Sequence, residues 1–239
     1  MDADTTDGGA IPVQPLTKSA LFVRQVSALV PASGCVSNNS AAALFLTGGA
    51  LDVAMSLEYT ANLLVGFQPV GDVANAPAGI AFQQAIVRVE DPSGVTLWGP
   101  ATMAAAGFAD TSPNQVTYGA MQATLLGSQL GTSLAQELQT AGRGLTRHLT
   151  SVVRVSGKII GGSTLESEEW KFPISVCYGC LVDFPREADD LTLAQQPNCF
   201  YASPTPTDLV KPCRVGQDDL VDCRVCKETF PNNTVCEPH

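Results

Sequence analysis

The sequence predicts an all-β protein: an antiparallel β-sandwich with an appended disulfide-rich, loop-dominated C-terminal segment. Several segments alternate apolar and polar residues with a period of two, the pattern of strands that have one buried face. Only one short segment has the spacing of an amphipathic helix. Seven of the eight cysteines lie between positions 177 and 236, where prolines interrupt any long element. These patterns favour layered sheets over a helical fold.

The composition limits the domain organisation and the function. The chain has 239 residues, of which 45% are hydrophobic and 15% are charged, so it can bury a substantial core. We expect a flexible leader over residues 1–18, a β-sandwich domain over 19–183 and a cystine-rich segment packed on it over 184–239. The net charge of −10 repels phosphate backbones, which argues against nucleic-acid binding.

The strongest alternation runs from Leu51 to Phe67, where every odd-numbered residue is apolar. Polar residues such as Asp52 and Asn62 lie between them, so we expect one buried face and one solvated face. The segment exceeds an ordinary strand and predicts one long bent strand or two strands that meet at a bulge. Upstream, residues 42–46 predict a short strand, followed by a tight turn over 47–49.

Two hairpins are predicted further along the chain. Residues 84–90 and 95–98 flank Asp91-Pro92-Ser93-Gly94, whose residue types are typical of a turn. The other hairpin turns at Gly161-Gly162, and the residues sharing one face of each arm are Leu149, Ser151, Val153 and Val155, then Trp170, Phe172, Ile174 and Val176. Pro173 cannot donate to a ladder, so we expect its strand at a sheet edge or beside a bulge.

One short, peripheral helix is predicted between the two hairpins. Ser133 with Gln136 three residues later matches a capping box. Leu134 and Leu138 are four residues apart on one face, and Gly142 is placed to end the helix.

The cysteines allow two interpretations. The motifs Cys177-x-x-Cys180 and Cys223-x-x-Cys226 could supply four thiolates to zinc, but 42 residues separate the motifs and four cysteines would stay unexplained. Disulfides formed in an oxidising compartment account for the even number at once. We therefore expect disulfides at Cys35, Cys177, Cys180, Cys199, Cys213, Cys223, Cys226 and Cys236. Full pairing requires Cys35 to reach a C-terminal partner, and the sequence does not choose the connectivity.

Short motifs along the chain are similar to those of a bacterial group. They are residues 172–182 (Phe-Pro-Ile-Ser-Val-Cys-Tyr-Gly-Cys-Leu-Val), Cys199, residues 213–219 (Cys-Arg-Val-Gly-Gln-Asp-Asp) and residues 59–63 (Tyr-Thr-Ala-Asn-Leu). In these motifs the chain resembles uncharacterised cysteine-rich predicted lipoproteins of myxobacteria and related bacteria. Members carry a lipobox cysteine before an acidic, small-residue leader, to which residues 2–10 are similar. The resemblance implies a lipid-anchored or secreted envelope protein and no particular activity.

Few residues are candidates for a catalytic or ligand-binding role. His148 is the one internal histidine, and without a Gly-x-Ser-x-Gly motif we interpret it as a strand-edge residue. Glu166, Glu168 and Glu169 precede Trp170 and could form an acidic sugar-binding face with it, although a charged sheet edge is the simpler interpretation. We assign no catalytic, cofactor-binding or metal-binding residue, and we expect no cofactor.

We therefore expect a non-catalytic, exported cell-envelope protein that binds other envelope or surface proteins, or itself, in a surface assembly. It would be extracytoplasmic, either anchored in the outer membrane by an N-terminal lipid that lies outside this sequence or secreted. Two alternatives stay open. One is an envelope carbohydrate-binding module or hydrolase that uses the acidic residues near Trp170. The other is a zinc protein that uses the two CxxC motifs.

Overall fold

A computed structural model of the chain describes residues 20–27, 29, 35, 45–69, 79–110, 115–188, 192, 194, 198–199 and 211–238. The predicted leader over 1–18 lies outside these residues. In chain order the strands are β1 Ala20–Ser27, β2 Phe45–Leu46, β3 Gly49–Asp52, β4 Tyr59–Gln68, β5 Gly79–Glu90, β6 Thr96–Asp110, β7 Thr117–Leu126, β8 Thr146–Ile159, β9 Thr164–Glu166, β10 Trp170–Cys177, β11 Val182–Asp183 and β12 Val221–Asp222. The α-helices are α1 Ser128–Ala141 and α2 Cys223–Thr229.

Two sheets form a sandwich, and the all-β prediction is confirmed. One sheet has the order β2-β1-β4-β7 and is antiparallel throughout. The other has the order β3-β10-β8-β5-β6, with β9 paired to β8. The pairing of β3 with β10 is parallel, as is that of β11 with β12, so the sheets are not purely antiparallel as predicted.

Side chains from both sheets share one hydrophobic core. Its fully buried members include Tyr59, Leu63, Val65 and Phe67 from β4 and Val87, Val153, Phe172 and Ile174 from the other sheet. Burial of an aliphatic or aromatic side chain of this size contributes about 1.5–3 kcal/mol. This shared core is therefore what holds the two sheets together.

The alternating segment from residue 51 to 67 is not one strand. Its start belongs to β3 in the larger sheet and its end to β4 in the smaller sheet. A turn lies between them, where the N–H groups of Met55 and Ser56 donate to the Asp52 carbonyl at 3.0 Å each. The apolar alternation continues through the turn because both strands face the same core. The expectation of a solvated second face is wrong for Asp52 and Asn62, which are both buried.

Both predicted hairpins are confirmed. In the first, Asp91 closes the turn between β5 and β6, because its Oδ1 accepts from the N–H groups of Ser93 and Val95 at 2.9 Å each. In the second, β8 pairs with β10. The β10 strand lies between β8 and β3 from Ile174 onward, which is half of its eight residues, and over the other half it is an edge strand, as predicted from Pro173. Pro173 lies one residue before the stretch that β3 covers.

Helix α1 begins earlier than the capping-box prediction places it. Gly127 is the N-cap residue, and Ser133 lies inside the helix with its hydroxyl donating to the Gln129 carbonyl at 3.2 Å, so that prediction is wrong. Leu134 and Leu138 are buried, and Gly142 ends the helix with φ at +99°, as predicted.

The C-terminal segment has a small core of its own, which the sequence did not predict. Buried members of this second core are Val182, Ala188, Cys199, Val221, Cys223, Val225, Cys226, Val235 and Cys236. Half-cystines supply four of these side chains, so the crosslinks are part of the packing. Tyr178 packs against both cores and joins the segment to the sandwich.

Candidate functional sites

All eight cysteines are bonded in four disulfides, Cys35–Cys213, Cys177–Cys180, Cys199–Cys223 and Cys226–Cys236. Cys35 reaches the C-terminal segment across a sequence separation of 178 residues. The first CxxC motif bonds within itself, whereas both cysteines of the second motif have other partners. Their four sulfurs do not form one set of ligands, so the alternative of a zinc site at the two motifs is not supported.

The Cys177–Cys180 disulfide lies beside a buried carboxylate, which forms the first candidate site. One carboxylate oxygen of Asp52 and the two sulfur atoms all lie within 4.8 Å of one another. Asp52 Oδ1 accepts from the Gly179 N–H at 2.8 Å and the Ala54 N–H at 3.1 Å, and Oδ2 accepts from the Leu181 N–H at 3.0 Å. The carboxylate therefore holds the loop that contains the disulfide.

Two opposing effects act on the Asp52 carboxyl group. Burial raises the pKa of Asp52 above its ordinary value, and the three backbone N–H donors and the charge of Arg143 oppose that rise. Arg143 follows α1, and its Nε would lie 3.3 Å from a Cβ built on Gly179. A carboxyl group, a guanidinium group and a CxxC disulfide thus converge on one loop, and the sequence analysis did not anticipate this.

A second polar cluster docks residues 213–219 onto the sandwich. The Asp218 N–H donates to the Ala50 carbonyl, and the Ala50 N–H donates to Asp218 Oδ1, at 2.9 Å each. The buried Tyr59 hydroxyl contacts both carboxylate oxygens of Asp218 at 2.9 Å. Although Asp218 as a residue is accessible to solvent, burial of its carboxyl group raises its pKa above the ordinary value.

Arg214 and Gln217 add contacts to the start of β4 in the smaller sheet. Arg214 donates to the Thr60 carbonyl, while Gln217 accepts from the Thr60 N–H at 3.2 Å and donates to the Glu58 carbonyl at 2.7 Å. Cavities of about 80 and 340 Å³ border Asp218. Because the main polar groups already bind the backbone or each other, we interpret the cluster as a docking contact between the segment and both sheets.

The acidic residues near Trp170 do not form the binding face that was considered as an alternative to a charged sheet edge. β9 ends at Glu166 and β10 begins at Trp170, so the glutamates do not share one strand with it. Glu169 accepts from Arg88 Nη1 and Nη2 at 2.6 and 2.8 Å, a bidentate pair that lowers the pKa of Glu169. The Trp170 ring stacks on Phe172 with centroids 5.6 Å apart, which makes it part of the packing.

The remaining candidate residues are also apart from one another. His148 is exposed on β8, and its Nδ1 lies 3.1 Å from the Ser175 hydroxyl, as suits a residue near a strand end. His148, Glu169 and Asp218 lie in separate hydrogen-bonded groups.

The outermost strand of the larger sheet forms another candidate site. β6 has no charged residue between Thr96 and Ala109, and almost every residue in it is exposed or half-buried. Leu97 and Phe108 each keep 44% of their surface exposed, and Val95 beside them keeps 57%. We call residues 95–109 the β6 surface. Natural edge strands usually carry charges that prevent pairing, and this strand carries none over this range.

The fold and its crosslinks define a class of protein. Four disulfides in an all-β sandwich indicate a disulfide-stabilised protein of an extracytoplasmic compartment. Neither α-helix of the described chain is long and apolar enough to cross a membrane. The sequence matches no protein-family model and no curated protein.

Proposed function

We propose that the protein is a non-catalytic, exported component of a cell-envelope assembly and that its β6 surface binds an extended, uncharged strand of another envelope protein. The observation that carries this proposal is the uncharged, exposed strand at the edge of the larger sheet. An edge strand offers backbone donors and acceptors to a partner strand, and neighbouring side chains supply apolar contact.

The strand itself limits how a partner can bind. Pro100 has no N–H group, and the register between β5 and β6 shifts between Ala104 and Gly107. Farther along, β7 approaches β6 so closely that a Cβ on Gly107 would overlap the Ala120 carbonyl oxygen. A partner strand would therefore pair with residues 101–104, while Leu97 and Phe108 provide apolar contact at the two ends.

Charge favours a different protein over a second copy as the partner. Each copy carries a net charge of −10, so two copies repel each other at low ionic strength. The β6 surface adds no charge to this balance, which suits an uncharged partner segment. The disulfides support an extracytoplasmic location. The resemblance that we propose from the short motifs would place this location in the envelope, where such a partner would be met.

The test compares two alanines. A photo-reactive residue is placed at exposed Ala104 in β6 or at exposed Ala141 at the end of α1, and the protein is cross-linked in the envelope of the source cell. We expect a discrete adduct with another envelope protein at position 104 only, and we expect Phe108→Lys to abolish it. Identical adducts at both positions, or no adduct at position 104, would overturn the proposal. An adduct between two copies of this chain would show that the β6 surface forms a homo-oligomer and does not bind a different protein.

A further inference from the structure

The Cys177–Cys180 disulfide differs from the other three in loop size, and it is more accessible than the two disulfides of the second core. Its cysteines are three residues apart, against separations of 10, 24 and 178 residues for the others. Cys180 is exposed, whereas Cys177 keeps only 1% of its surface exposed. The Cys199–Cys223 and Cys226–Cys236 sulfurs lie in the second core. A thiol can therefore reach Cys180 while the fold stays closed.

The surroundings of this disulfide suit thiol chemistry. The Asp52 carboxylate lies within 4.8 Å of both sulfurs and has no solvent exposure. The charge of Arg143 interacts electrostatically with the Asp52 carboxyl group, and Tyr178 interacts electrostatically with Arg143. A nearby cation favours a thiolate, and a buried carboxyl group with a raised pKa can give or take a proton near the sulfur it faces.

We propose that Cys177–Cys180 is a redox-active disulfide that oxidises dithiols, with Asp52 exchanging a proton with Cys177. A substrate thiolate attacks Cys180 Sγ, the Cys177–Cys180 bond breaks, and a mixed disulfide forms on Cys180. The Cys177 thiolate that leaves takes the proton from Asp52. The second substrate thiol gives its proton to Asp52 and attacks the substrate sulfur of the mixed disulfide. A substrate disulfide forms, and Cys180 leaves as a thiolate that takes a proton from water. In sum, the protein disulfide and a dithiol become a protein dithiol and a substrate disulfide.

Asp52 also positions the loop, because it accepts hydrogen bonds from three backbone N–H groups. An experiment must therefore separate this positioning from proton transfer.

The oxidised full-length protein is treated with limiting dithiothreitol and quenched, and each disulfide is followed by mass spectrometry. We expect Cys177–Cys180 to open at least tenfold faster than the other three. Cys35–Cys213 is the matched control because Cys35 is also exposed, whereas the sulfurs beside the Asp52 carboxylate are those of Cys177 and Cys180.

The pH dependence of exchange reports the proton transfer. In Asp52→Asn we expect the Cys177–Cys180 disulfide to open several-fold more slowly at neutral pH. We also expect the plot of opening rate against pH to lose the step that the ionisation of Asp52 produces in the wild type. If that variant does not fold, Cys180→Ala leaves Cys177 as a buried thiol whose ionisation, followed by the ultraviolet absorbance of the thiolate, should show two coupled steps. Equal opening rates for Cys177–Cys180 and Cys35–Cys213 would overturn the proposal. A single ionisation of Cys177 in Cys180→Ala would overturn the role of Asp52.

Discussion

The Tyr59 hydroxyl lies 2.9 Å from each carboxylate oxygen of Asp218, joining residues 159 positions apart in the sequence. Burial, followed by the charge of Asp218, raises the pKa of Tyr59 above its ordinary value, so Tyr59 stays protonated as the donor. Tyr59 starts β4 and has no exposed surface. This contact therefore joins residues 213–219 to the start of β4 through a buried hydroxyl group, in addition to the contacts of Arg214 and Gln217.

Replacement of Asp218 should change how stability depends on pH. The pKa of Asp218 in the folded protein lies above its unfolded value, so the folded state binds more protons between the two values. Relative to Asp218→Asn, the wild type should gain free energy of unfolding as the pH falls from neutral toward the unfolded value. Urea titrations at a series of pH values measure this, with Asp183→Asn on an exposed strand as the control. A difference that grows as the pH rises would contradict this assignment.

Truncation of a core leucine should be far more costly than truncation of an exposed one. Leu63 in β4 is fully buried, whereas Leu145 before β8 is 52% exposed. We expect Leu63→Ala to reduce the free energy of unfolding by about 2–5 kcal/mol, because it leaves a cavity between the sheets. Leu145→Ala should change it by under about 1 kcal/mol. Chemical denaturation measures both, and similar losses would show that β4 does not lie in the shared core.

The long-range disulfide should contribute more stability than the local one. Cys35–Cys213 spans 178 residues and Cys177–Cys180 spans three. In the chain-entropy treatment, removal of the first costs about 5 kcal/mol and removal of the second about 2 kcal/mol. Thermal unfolding of the two paired Cys→Ser variants compares them directly. If the Cys177/Cys180 variant were the less stable of the two, the Cys177–Cys180 disulfide would stabilise the fold mainly through packing around Asp52 and not through chain entropy.

Gly131→Ala should destabilise the protein although alanine favours helices. A Cβ at Gly131 would overlap the carbonyl oxygen of Leu57, so α1 could not keep its approach to the turn before β4. The clash should outweigh the gain of about 1 kcal/mol in helix propensity. Thr132→Ala on the exposed side of α1 is the control and should be close to neutral. An increase in melting temperature for Gly131→Ala would show that the helix is free to move outward.

Several parts of the fold could be predicted because they depend on local chemistry. Asp91 and its neighbours form a turn through their own side-chain and backbone atoms, and Gly142 ends α1 because it can adopt a positive φ. The start of α1 could not be predicted in this way. Ser133 satisfies the capping-box pattern, but α1 begins at Ser128, and Gly131 in its first turn packs against Leu57, which is distant in sequence.

The candidate sites were less predictable because their residues come from distant parts of the chain. Asp52 occupies a polar position in an alternating segment, which predicts exposure, yet the loop after β10 covers it and supplies two of its donors. No local pattern marks Arg143 as a neighbour of that loop. The β6 surface did carry a signal in its lack of charge, although its position at a sheet edge depends on the order of all the strands.

The amino-acid sequence by itself determined that this protein is made of strands and that its cysteines suit disulfides, because alternation and residue counts are properties of the chain. The tertiary structure alone decided that the segment from Leu51 to Phe67 passes from one sheet to the other. It also decided that Cys35 bonds to Cys213 and that Asp52 lies beside Cys177. Alternation shows that a strand faces a core but not which sheet it joins, and a cysteine's partner depends on which chain segments fold against each other.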